Sequence, residues 1–485
     1  MQANNLRCVF CRLNLKMKRS LYFIFLVVLY SLLLSSCKKD NFITSGNARL
    51  IITADTLHYD TVFTTKGSIT KSFKIINEND QKLLLSKVKL MGGNASPYKI
   101  NINGTAITEA NDIAIEGNDS IYVFVSVTID PSVADLPFVV SDSILIAYNG
   151  KNRFVQLRAY GQNANFYNNH IITGNVVWPN DLPYVITGSL QIDTTASLTI
   201  ESGCKIYSHG DAPFIVDGTL IINGTKADSV VFSGDRLDGD YKNLPASWPG
   251  IYFRGESKDN VLTFGVIKNA NQAIVVEKPS INANPKVILH QCIIDNAYDK
   301  GIYCANSSLT ADNTLISNCG NNIVISYGGN YNFTHCTVVS YSNNYLFRKN
   351  PVLSVNNFAT KSGGTVTADI NAIFRNCIFW GDDNGAVNNE VVVNKQGGNT
   401  FSVLFEKNIY RVANDPANSI LTGNIKNQNP LFDSINVAKN IFDFHITKNA
   451  IAPGINAGVM TAFIKDLDNN MRNVGVPDLG CYEKQ

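Results

Sequence analysis

The chain has 485 residues, of which 16% are charged and 45% are hydrophobic, and its net charge at pH 7 is +2. This composition excludes an intrinsically disordered chain and a protein that binds nucleic acid through a basic surface. The length is enough for two to four domains with sizeable cores. No phosphate-binding GxxxxGKS/T loop and no dinucleotide-binding GxGxxG turn occurs in its required context, so we expect no nucleotide partner.

Residues 1–36 have the composition of an export signal. They carry five basic residues and no acidic residue, and an apolar run of 14 residues from Leu21 ends at Leu34, just before Ser35-Ser36-Cys37. That run is too short to span a bilayer comfortably. The small residues before the cysteine resemble a bacterial lipobox, which implies cleavage before Cys37 and acylation of Cys37. An ordinary secretory signal with an accidental cysteine is the alternative.

The lipobox resemblance predicts a membrane partner. Several acyl chains on one residue anchor a protein firmly where a single chain does not. Bacterial lipoproteins that stay at the inner membrane usually have aspartate directly after the acylated cysteine. This chain has Lys38 at that position, so the resemblance favours the cell outer membrane. Residues 37–47 are short and polar, as expected of a tether. Whether the protein faces the periplasm or the outside stays open.

Residues 48–164 predict an antiparallel β-sandwich. Seven short runs that alternate apolar and polar residues are separated by Asn, Asp, Gly and Pro clusters. The phrases "DTVFTTKGSITKSFKIIN" and "NDSIYVFVSVTIDP" resemble the N-terminal Ig-like domains of Gram-negative cell-surface lipoproteins. The resemblance implies a spacer or presentation module, with a binding site as the alternative.

Residues 165–485 contain a three-part repeat. One set of segments reads "GIYF", "AIVV", "GIYC" and "NIVI", and a second reads "VLTF", "KVIL", "SLTA" and "YNFT". The third set begins at Gly265, Cys292, Thr314, Cys336, Cys377 and Asn408, at intervals of 27, 22, 22, 41 and 31 residues. Three short strands per cycle of about 22 residues predict a parallel β-helix. The 41-residue interval fits either a long loop or an extra coil.

The repeat explains cysteines that form no CxxC pair. Cys292, Thr314, Cys336 and Cys377 are predicted to form an inward ladder of small residues, because free cysteine behaves as a small hydrophobe. Asn269, Asn296 and Asn318 are predicted to form tight corners with left-handed backbone. A leucine-rich repeat is the competing fold, but its helix-forming half is missing.

The C-terminal segment resembles the closing coil of right-handed parallel β-helix proteins of the pectin-lyase-like class. The matching residues are Asp466, Asn469, Arg472, Pro477, Asp478, Gly480, Tyr482 and Glu483. The resemblance implies the fold class, an all-β chain with an Ig-like sandwich followed by a right-handed parallel β-helix and its cap. It does not imply a reaction, since this fold hosts lyases, hydrolases, adhesins and other proteins.

Lyase chemistry on such a fold would need a cation and a basic residue of lowered pKa. The cation is Ca²⁺ on acidic residues or a basic side chain, and Lys or Arg is the base. The acidic candidates are Asp235, Asp238 and Asp240, which we interpret as a solvated loop, and Asp466 and Asp468, which we interpret as hydrogen-bonding groups of the cap. No metal site and no cofactor is predicted, except calcium if the protein is a lyase.

His290 and His335 precede ladder cysteines and are predicted to be strand residues rather than metal ligands.

The first strand set offers a candidate saccharide-facing surface. Its candidates are basic, acidic and aromatic residues in or beside those segments: Tyr252, Arg254, Glu277, Lys278, Tyr303 and Tyr327. Aromatic rings there could stack on sugars. The alternative is ordinary decoration of a sheet by tyrosine, a good strand former. Trp248 and Trp380 are further candidates for aromatic platforms, with packing as the alternative.

A recurring Asp-Ser/Thr pattern resembles the periplasmic O-glycosylation sequon of one group of Gram-negative bacteria. It occurs at Thr56, Thr61, Ser120, Ser143, Thr194, Ser229 and Ser434. Chance at strand edges is the alternative.

The sequence therefore predicts an outer-membrane-anchored lipoprotein that presents a β-helix as a polysaccharide-facing binding or structural module. A polysaccharide lyase or glycoside hydrolase on the same scaffold is the alternative, and envelope scaffolding without saccharide affinity is the third reading.

Overall fold

The computed structural model describes residues 41–63, 67–129, 138–237, 239, 241–382, 386–446, 451–472 and 475–484. They form two compact units that divide near residue 160. Three 3-10 helices, Gly93–Ala95, Tyr241–Asn243 and Val437–Lys439, are the helices found in this part of the chain, and the rest of its regular structure is strand. The all-β class is thus confirmed.

The N-terminal unit consists of two antiparallel sheets, each with five strands within the described residues. The strands are β1 (Leu50–Ile52), β2 (Thr56–Phe63), β3 (Lys71–Asn77), β4 (Leu83–Leu90), β5 (Tyr98–Ile102), β6 (Thr105–Ala106), β7 (Glu109–Ile115), β8 (Ser120–Val127), β9 (Phe138–Tyr148) and β10 (Lys151–Gln162). One sheet has the order β1-β3-β8-β5-β6 and the other β2-β10-β9-β4-β7.

The two sheets pack face to face. The ring of Tyr59 on β2 lies 6.1 Å from that of Tyr98 on β5, and its hydroxyl donates to Val125 O on β8 at 2.6 Å. The alternating runs therefore build a sandwich because every second residue of β8, such as Val125, is buried between the sheets. The Ig-like assignment within this class stays a prediction.

The second unit is built from the strands β11 to β38, which pair in parallel except for the antiparallel hairpin of β30 and β31. They are β11 (Asn165–Ile172), β12 (Asn175–Trp178), β13 (Tyr184–Ile192), β14 (Ser197–Glu201), β15 (Lys205–Ser208), β16 (Phe214–Val216), β17 (Thr219–Asn223), β18 (Val230–Gly234), β19 (Ile251–Phe253), β20 (Asn260–Thr263), β21 (Gly265–Lys268), β22 (Gln272–Glu277), β23 (Val287–His290), β24 (Ile293–Asp295), β25 (Lys300–Asp312), β26 (Leu315–Ser317), β27 (Asn321–Thr334), β28 (Thr337–Ser340), β29 (Leu353–Asn356), β30 (Phe358–Lys361), β31 (Gly364–Thr367), β32 (Ile370–Arg375), β33 (Ile378–Gly381), β34 (Val391–Asn394), β35 (Phe401–Glu406), β36 (Ile409–Tyr410), β37 (Ile420–Thr422) and β38 (Ile425–Lys426).

These strands wind into a parallel β-helix with three sheets. Sheet A contains β16, β19, β22, residues 300–305 of β25, residues 321–326 of β27, β29 and β34. Sheet B contains β14, β17, β20, β23, the second halves of β25 and β27, β32, β35 and β37. Sheet C contains β15, β18, β21, β24, β26, β28, β33, β36 and β38. Each strand pairs in parallel with its equivalent one coil later, which confirms the predicted β-helix; its right-handed sense stays a prediction.

The long interval between Cys336 and Cys377 is a single coil. Strand β28 pairs directly with β33, so no further coil lies between them. The extra residues form a loop at 341–352 and the antiparallel hairpin of β30 and β31. The long-loop interpretation is therefore the correct one.

The small-residue ladder lies in the core as predicted. Cys292, Thr314, Cys336 and Cys377 are fully buried, and the described cysteines are all free thiols. Inward phenylalanines of sheet B stack beside them: the ring of Phe374 lies 5.5 Å from Phe333 and 4.9 Å from Phe405. Aromatic pairs of this kind add roughly 0.5–1.5 kcal/mol each beyond their buried area. The ladders therefore fix the register between coils.

The corners use left-handed backbone. Asn269, Asn296 and Asn318 have φ of 61°, 57° and 51° at the turn from sheet C to sheet A, as predicted. His290 ends strand β23 as expected. The strand prediction for His335 is wrong, because this buried residue has φ 55° at the turn from sheet B to sheet C.

A hairpin and a hydrogen-bonded cap end the chain. The hairpin joins β39 (Ser434–Asn436) to β40 (Ile441–Asp443). In the cap, Arg472 is 2% exposed and donates to Asn313 Oδ1 at 2.8 Å, Glu483 Oε2 at 2.9 Å and Gly480 O at 2.8 Å. The C-terminal motif thus ties its own residues to a corner of the β-helix.

Candidate functional site

The predicted saccharide-facing residues lie on the outer side of sheet A and at the corner that follows it. Strand register places Tyr252, Val275, Tyr303 and Val324 in one row across four consecutive coils. Coils stack at about 4.8 Å, so the two tyrosines are separated by roughly 10 Å along the axis. We call the surface that carries Tyr252, Arg254, Glu277, Lys278, Tyr303 and Tyr327 the tyrosine face.

Arg254 does not make this face basic. Its side chain is 45% exposed, but its guanidinium donates to both carboxylate oxygens of Asp217 one coil earlier, with Nε 2.7 Å from Oδ1. This pairing holds the pKa of Asp217 below its ordinary value, and Gln191 adds a hydrogen bond to the same carboxylate. Glu277 follows Arg254 in the next coil. The charges in this row are therefore nearly balanced.

Lys278 and Tyr327 occupy the corner after sheet A. Both have left-handed backbone, with φ of 61° and 62°. Lys278 is exposed, while the ammonium of Lys361 lies 4.7 Å from the centre of the Tyr327 ring. A cation over a ring contributes about 0.5–1 kcal/mol at exposed sites. The Tyr327 ring is therefore partly occupied by a neighbour within the chain.

A buried lysine beneath this corner was missed by the sequence analysis. Lys286 is fully buried, and its ammonium donates to the carbonyls of Arg254 at 3.0 Å, Gly255 at 2.9 Å and Glu277 at 2.8 Å. Burial lowers the pKa of Lys286 to about 8. Its acceptors are backbone carbonyls from two coils, so no motif could have revealed it. The three bonds use all of its donors and mark it as a structural clamp.

A cavity of about 530 Å³ opens beside the tyrosine face, at the turn from sheet C to sheet A. We call it the corner cavity; it is lined by Asn271, Tyr298, Asp299, Gly320, Tyr345, Leu346, Phe347, Lys349 and Asn350. Tyr298 is 56% and Phe347 is 61% exposed. Exposed rings beside amide and charged groups can pack on an apolar surface while the polar groups bind hydroxyls.

Asp299 joins the corner cavity to the tyrosine face. Its Oδ2 accepts from Lys300 Nζ at 2.6 Å and from Gln272 Nε2 at 2.6 Å, and the same ammonium lies 5.4 Å from the centre of the Tyr303 ring. Burial would raise the pKa of Asp299, but these hydrogen bonds hold it below its ordinary value. The cavity and the tyrosine row therefore form one continuous polar and aromatic surface.

A second outer surface lies on sheet B. A cavity of about 600 Å³ there is lined mainly by Asn, Ser and Thr side chains, including Thr310 and Asn332. Its one aromatic lining residue, Tyr331, is 3% exposed and donates to Gly328 O at 2.9 Å. This groove offers hydrogen bonds but no exposed aromatic ring.

The acidic candidates serve structural contacts. Asp466 accepts from the backbone N–H of Asn470 at 2.7 Å and of Glu483 at 2.8 Å, which confirms its role in the cap. Asp468 instead pairs with Lys226 and with His445, whose Nε2 lies 2.7 Å from Oδ2.

Asp235 lies 2.8 Å from His209 Nδ1, while Asp238 and Asp240 lie outside the described residues. Within the described ranges, no group of three or more His, Cys, Asp or Glu side chains is placed to hold a metal ion.

The two tryptophan candidates are packing residues. Trp248 is 1% exposed, and its indole N–H donates to Lys268 O at 2.9 Å. Trp380 is 8% exposed and packs in an apolar cluster with Phe444 and Cys481. Neither ring is available as a platform.

The predicted glycosylation residues that can be assessed are accessible. Six of them have exposed or half-buried side chains: Thr56, Ser120, Ser143, Thr194, Ser229 and Ser434. Thr61 lies in β2, but its side chain is outside the described set, and so is Cys37. No helix in the described part of the chain is long and apolar enough to span a bilayer.

Comparison with known proteins gives distant likenesses. No protein-family model matches the chain, and no curated protein matches it. Among solved structures, the catalytic domain of a GH87 α-1,3-glucanase is similar at 11% identity, covering 73% of this chain and 87% of that one, with a TM-score of 0.20. The PapD-like domain 7 of human CEP192 is 10% identical over 26% of this chain and 92% of that one, at a TM-score of 0.17. A family 123 glycoside hydrolase from Clostridium perfringens is 13% identical over 26% of each chain, also at a TM-score of 0.17. With TM-scores this low, the likenesses carry no argument about function.

Proposed function

We propose that this protein binds polysaccharide along the tyrosine face and the adjoining corner cavity, while a lipid on Cys37 holds it at the outer membrane. The observation that carries the proposal is the continuous surface from Tyr252 and Tyr303 through Asp299 to the exposed rings of Tyr298 and Phe347. Its aromatic residues recur along the helix axis, which suits a polymer better than a single small ligand.

The charges of this surface favour an uncharged polymer. Arg254 is paired with Asp217, and Lys300 is paired with Asp299. Exposed pairs of this kind leave little net field to attract a polyanion. We therefore expect neutral polysaccharides to bind more tightly than uronate-rich ones.

The same surface argues against cleavage. Glycoside hydrolysis needs a carboxylic acid of raised pKa beside a second carboxylate, but the pKa values of Asp217 and Asp299 are both lowered. A lyase needs an accessible base, whereas the lysine of lowered pKa here, Lys286, is buried under three carbonyls. A lyase or hydrolase, with calcium as its possible cofactor, is the alternative function.

The deciding experiment incubates the full chain with neutral and acidic polysaccharides, with and without Ca²⁺, and measures retained polymer and chain shortening in the same samples. We expect retention of a neutral polymer without new reducing or unsaturated ends. New reducing or unsaturated ends would show that the protein cleaves the polymer, and the enzyme hypothesis would then replace the binding hypothesis. If no polymer is retained or cut, the hypothesis of envelope scaffolding without saccharide affinity is the correct one.

Two variants locate the bound polymer. Tyr303→Ala removes a half-buried ring from the tyrosine row, and we expect at least a tenfold loss of affinity, because stacking on that ring is lost. Thr310→Ala is the matched control on sheet B and should bind normally. Loss of affinity in the control alone would move the site to the groove of sheet B.

The anchor is tested separately. Cys37→Ala should abolish incorporation of labelled palmitate and release the protein from outer-membrane fractions.

O-glycosylation at the predicted threonines and serines would add bulk to the surface without adding an activity, and intact-mass measurement of the exported protein would detect it.

A further inference from the structure

A third cavity lies on sheet C, on a different sheet from the tyrosine face. It has a volume of about 350 Å³ and lies between the outer side of sheet C and the C-terminal hairpin. This volume falls at the lower end of the roughly 300–1,000 Å³ range of small-molecule sites. We call it the hairpin cavity.

One side of the hairpin cavity is apolar. Strand register aligns Val266, Ile293 and Leu315 in an outward row of sheet C. Opposite them, the hairpin supplies the rings of Phe442 and Phe444, which are nearly parallel at 10° with centroids 6.1 Å apart. The row and the two rings give a ligand two apolar walls.

The other side is polar and lacks one hydrogen-bond donor. Asn296 is 9% exposed, and its Nδ2 donates to Asn243 O and to Asn269 Oδ1, each at 2.8 Å. Its Oδ1 is buried at the edge of this side, and no donor within the described residues reaches it. A buried acceptor without a donor is unusual in native structures and is satisfied when a ligand or water supplies a hydroxyl or N–H.

A carboxyl group adds to this polar side. Asp295 lies beside Asn296, and its Oδ1 accepts from Ser317 Oγ at 2.7 Å. Burial raises the pKa of Asp295, while Ser317 and the neighbouring Lys268 oppose the rise. The carboxyl can thus hydrogen-bond to a neutral, hydroxyl-rich ligand without requiring a cation.

We propose that the hairpin cavity binds a single neutral sugar ring, a hexose or an N-acetylhexosamine, as a site separate from the polymer surface of sheet A. The apolar face of the ring would pack against Phe442 and Phe444. Its hydroxyls would exchange hydrogen bonds with Asp295, and a small rotation of the Asn296 amide would let one of them donate to the buried Oδ1. This site stands independently of the proposed polysaccharide surface, because it shares no lining residue with the tyrosine face or the corner cavity.

The test measures saturation transfer from the full chain to glucose, galactose, mannose and N-acetylglucosamine, followed by calorimetric titration of any sugar that responds. We expect at least one of the four to bind. Absence of transfer to all four sugars would overturn the proposal.

Variants assign the response to this cavity. Ile293→Phe places a larger side chain on the apolar wall, and we expect at least a tenfold loss of affinity. Phe442→Leu changes a surface hairpin without disturbing the coils, so it remains informative if the first variant does not fold, and we expect about a fivefold loss. Thr310→Ala on sheet B is the control and should keep sugar binding. Unchanged affinity in a folded Phe442→Leu protein, or loss in the control, would refute the assignment.

Discussion

Replacing Lys286 by methionine tests whether this buried ammonium holds the corner from which Arg254 and Glu277 project. The change keeps most of the side-chain volume but leaves three carbonyl oxygens, 2.8 to 3.0 Å from Nζ, without their donor. Hydrogen bonds from a charged donor contribute about 1.5–3 kcal/mol each, so the three together give roughly 4–9 kcal/mol. Burial of the charge opposes this, since the fall in pKa from 10.5 to about 8 corresponds to roughly 3 kcal/mol. We expect a net loss of about 1–6 kcal/mol at pH 7.

The pH dependence supplies a second signature of Lys286. Its pKa is lower in the folded protein than in the unfolded chain, so between pH 8 and 10.5 the unfolded chain binds more protons. The free energy of unfolding therefore rises by about 1.4 kcal/mol per pH unit between pH 8 and pH 10.5. This gain is lost again as the pH falls from 10.5 to 8, and below pH 8 it is absent. The Met variant lacks this term, and the difference between the two proteins should grow between pH 8 and 10.

The assay is urea unfolding followed by tryptophan fluorescence. The three tryptophans, Trp178, Trp248 and Trp380, all lie in the second unit, so the signal reports the β-helix alone. Lys278→Met is the control, because it removes the same charge from an exposed neighbour. Equal losses in the two variants, or a difference that does not change with pH, would refute the clamp.

Two further predictions concern buried and paired groups. Burial raises the pKa of Cys292 from 9.0 to about 12, so the stability that the protonated thiol contributes is complete below pH 9 and is lost as pH rises toward 12. Cys292→Ala should therefore reduce the loss of stability at alkaline pH by about 1.4 kcal/mol per pH unit. An unchanged dependence of the unfolding free energy on pH, measured by urea unfolding, would contradict this. The carboxylate of Asp312, 2.5 Å from His290 Nδ1, raises the pKa of that imidazole. The stability that this pair contributes is present below the pKa of His290 in the unfolded chain and is lost as pH rises through its pKa in the folded protein. Asp312→Asn should lower the pKa of His290 in an NMR titration. A pKa that stays in place would show that the pair is not the cause.

Local patterns were enough to predict the architecture. Small residues such as Cys292 and Thr314 recur just before strands of sheet C because successive coils must fill the same narrow part of the core. The asparagines at Asn269 and Asn296 recur because the corner requires left-handed backbone, which asparagine tolerates. The prediction failed at His335 because it counted this residue as part of the strand, whereas it takes the left-handed corner that Asn313 and Asn376 take in the neighbouring coils.

The candidate site was predicted in part. Tyr252 and Tyr303 could be placed on one face because register follows from the repeat. The corner cavity could not be predicted, because it depends on where the loop at 341–352 packs, and that loop has no counterpart in the other coils. Trp248 and Trp380 looked equally suitable as platforms until their burial was known.

The sequence by itself determined that the chain forms an all-β repeat with a small-residue ladder and asparagine corners. Those features depend on side-chain size and backbone conformation at each position, and both are read locally. Only the tertiary structure decided that Arg254 is neutralised by Asp217, that Lys286 is a buried clamp and that the hairpin encloses a cavity. Each of these depends on contacts between different coils or with the terminal hairpin, and such contacts arise from packing that no single segment encodes.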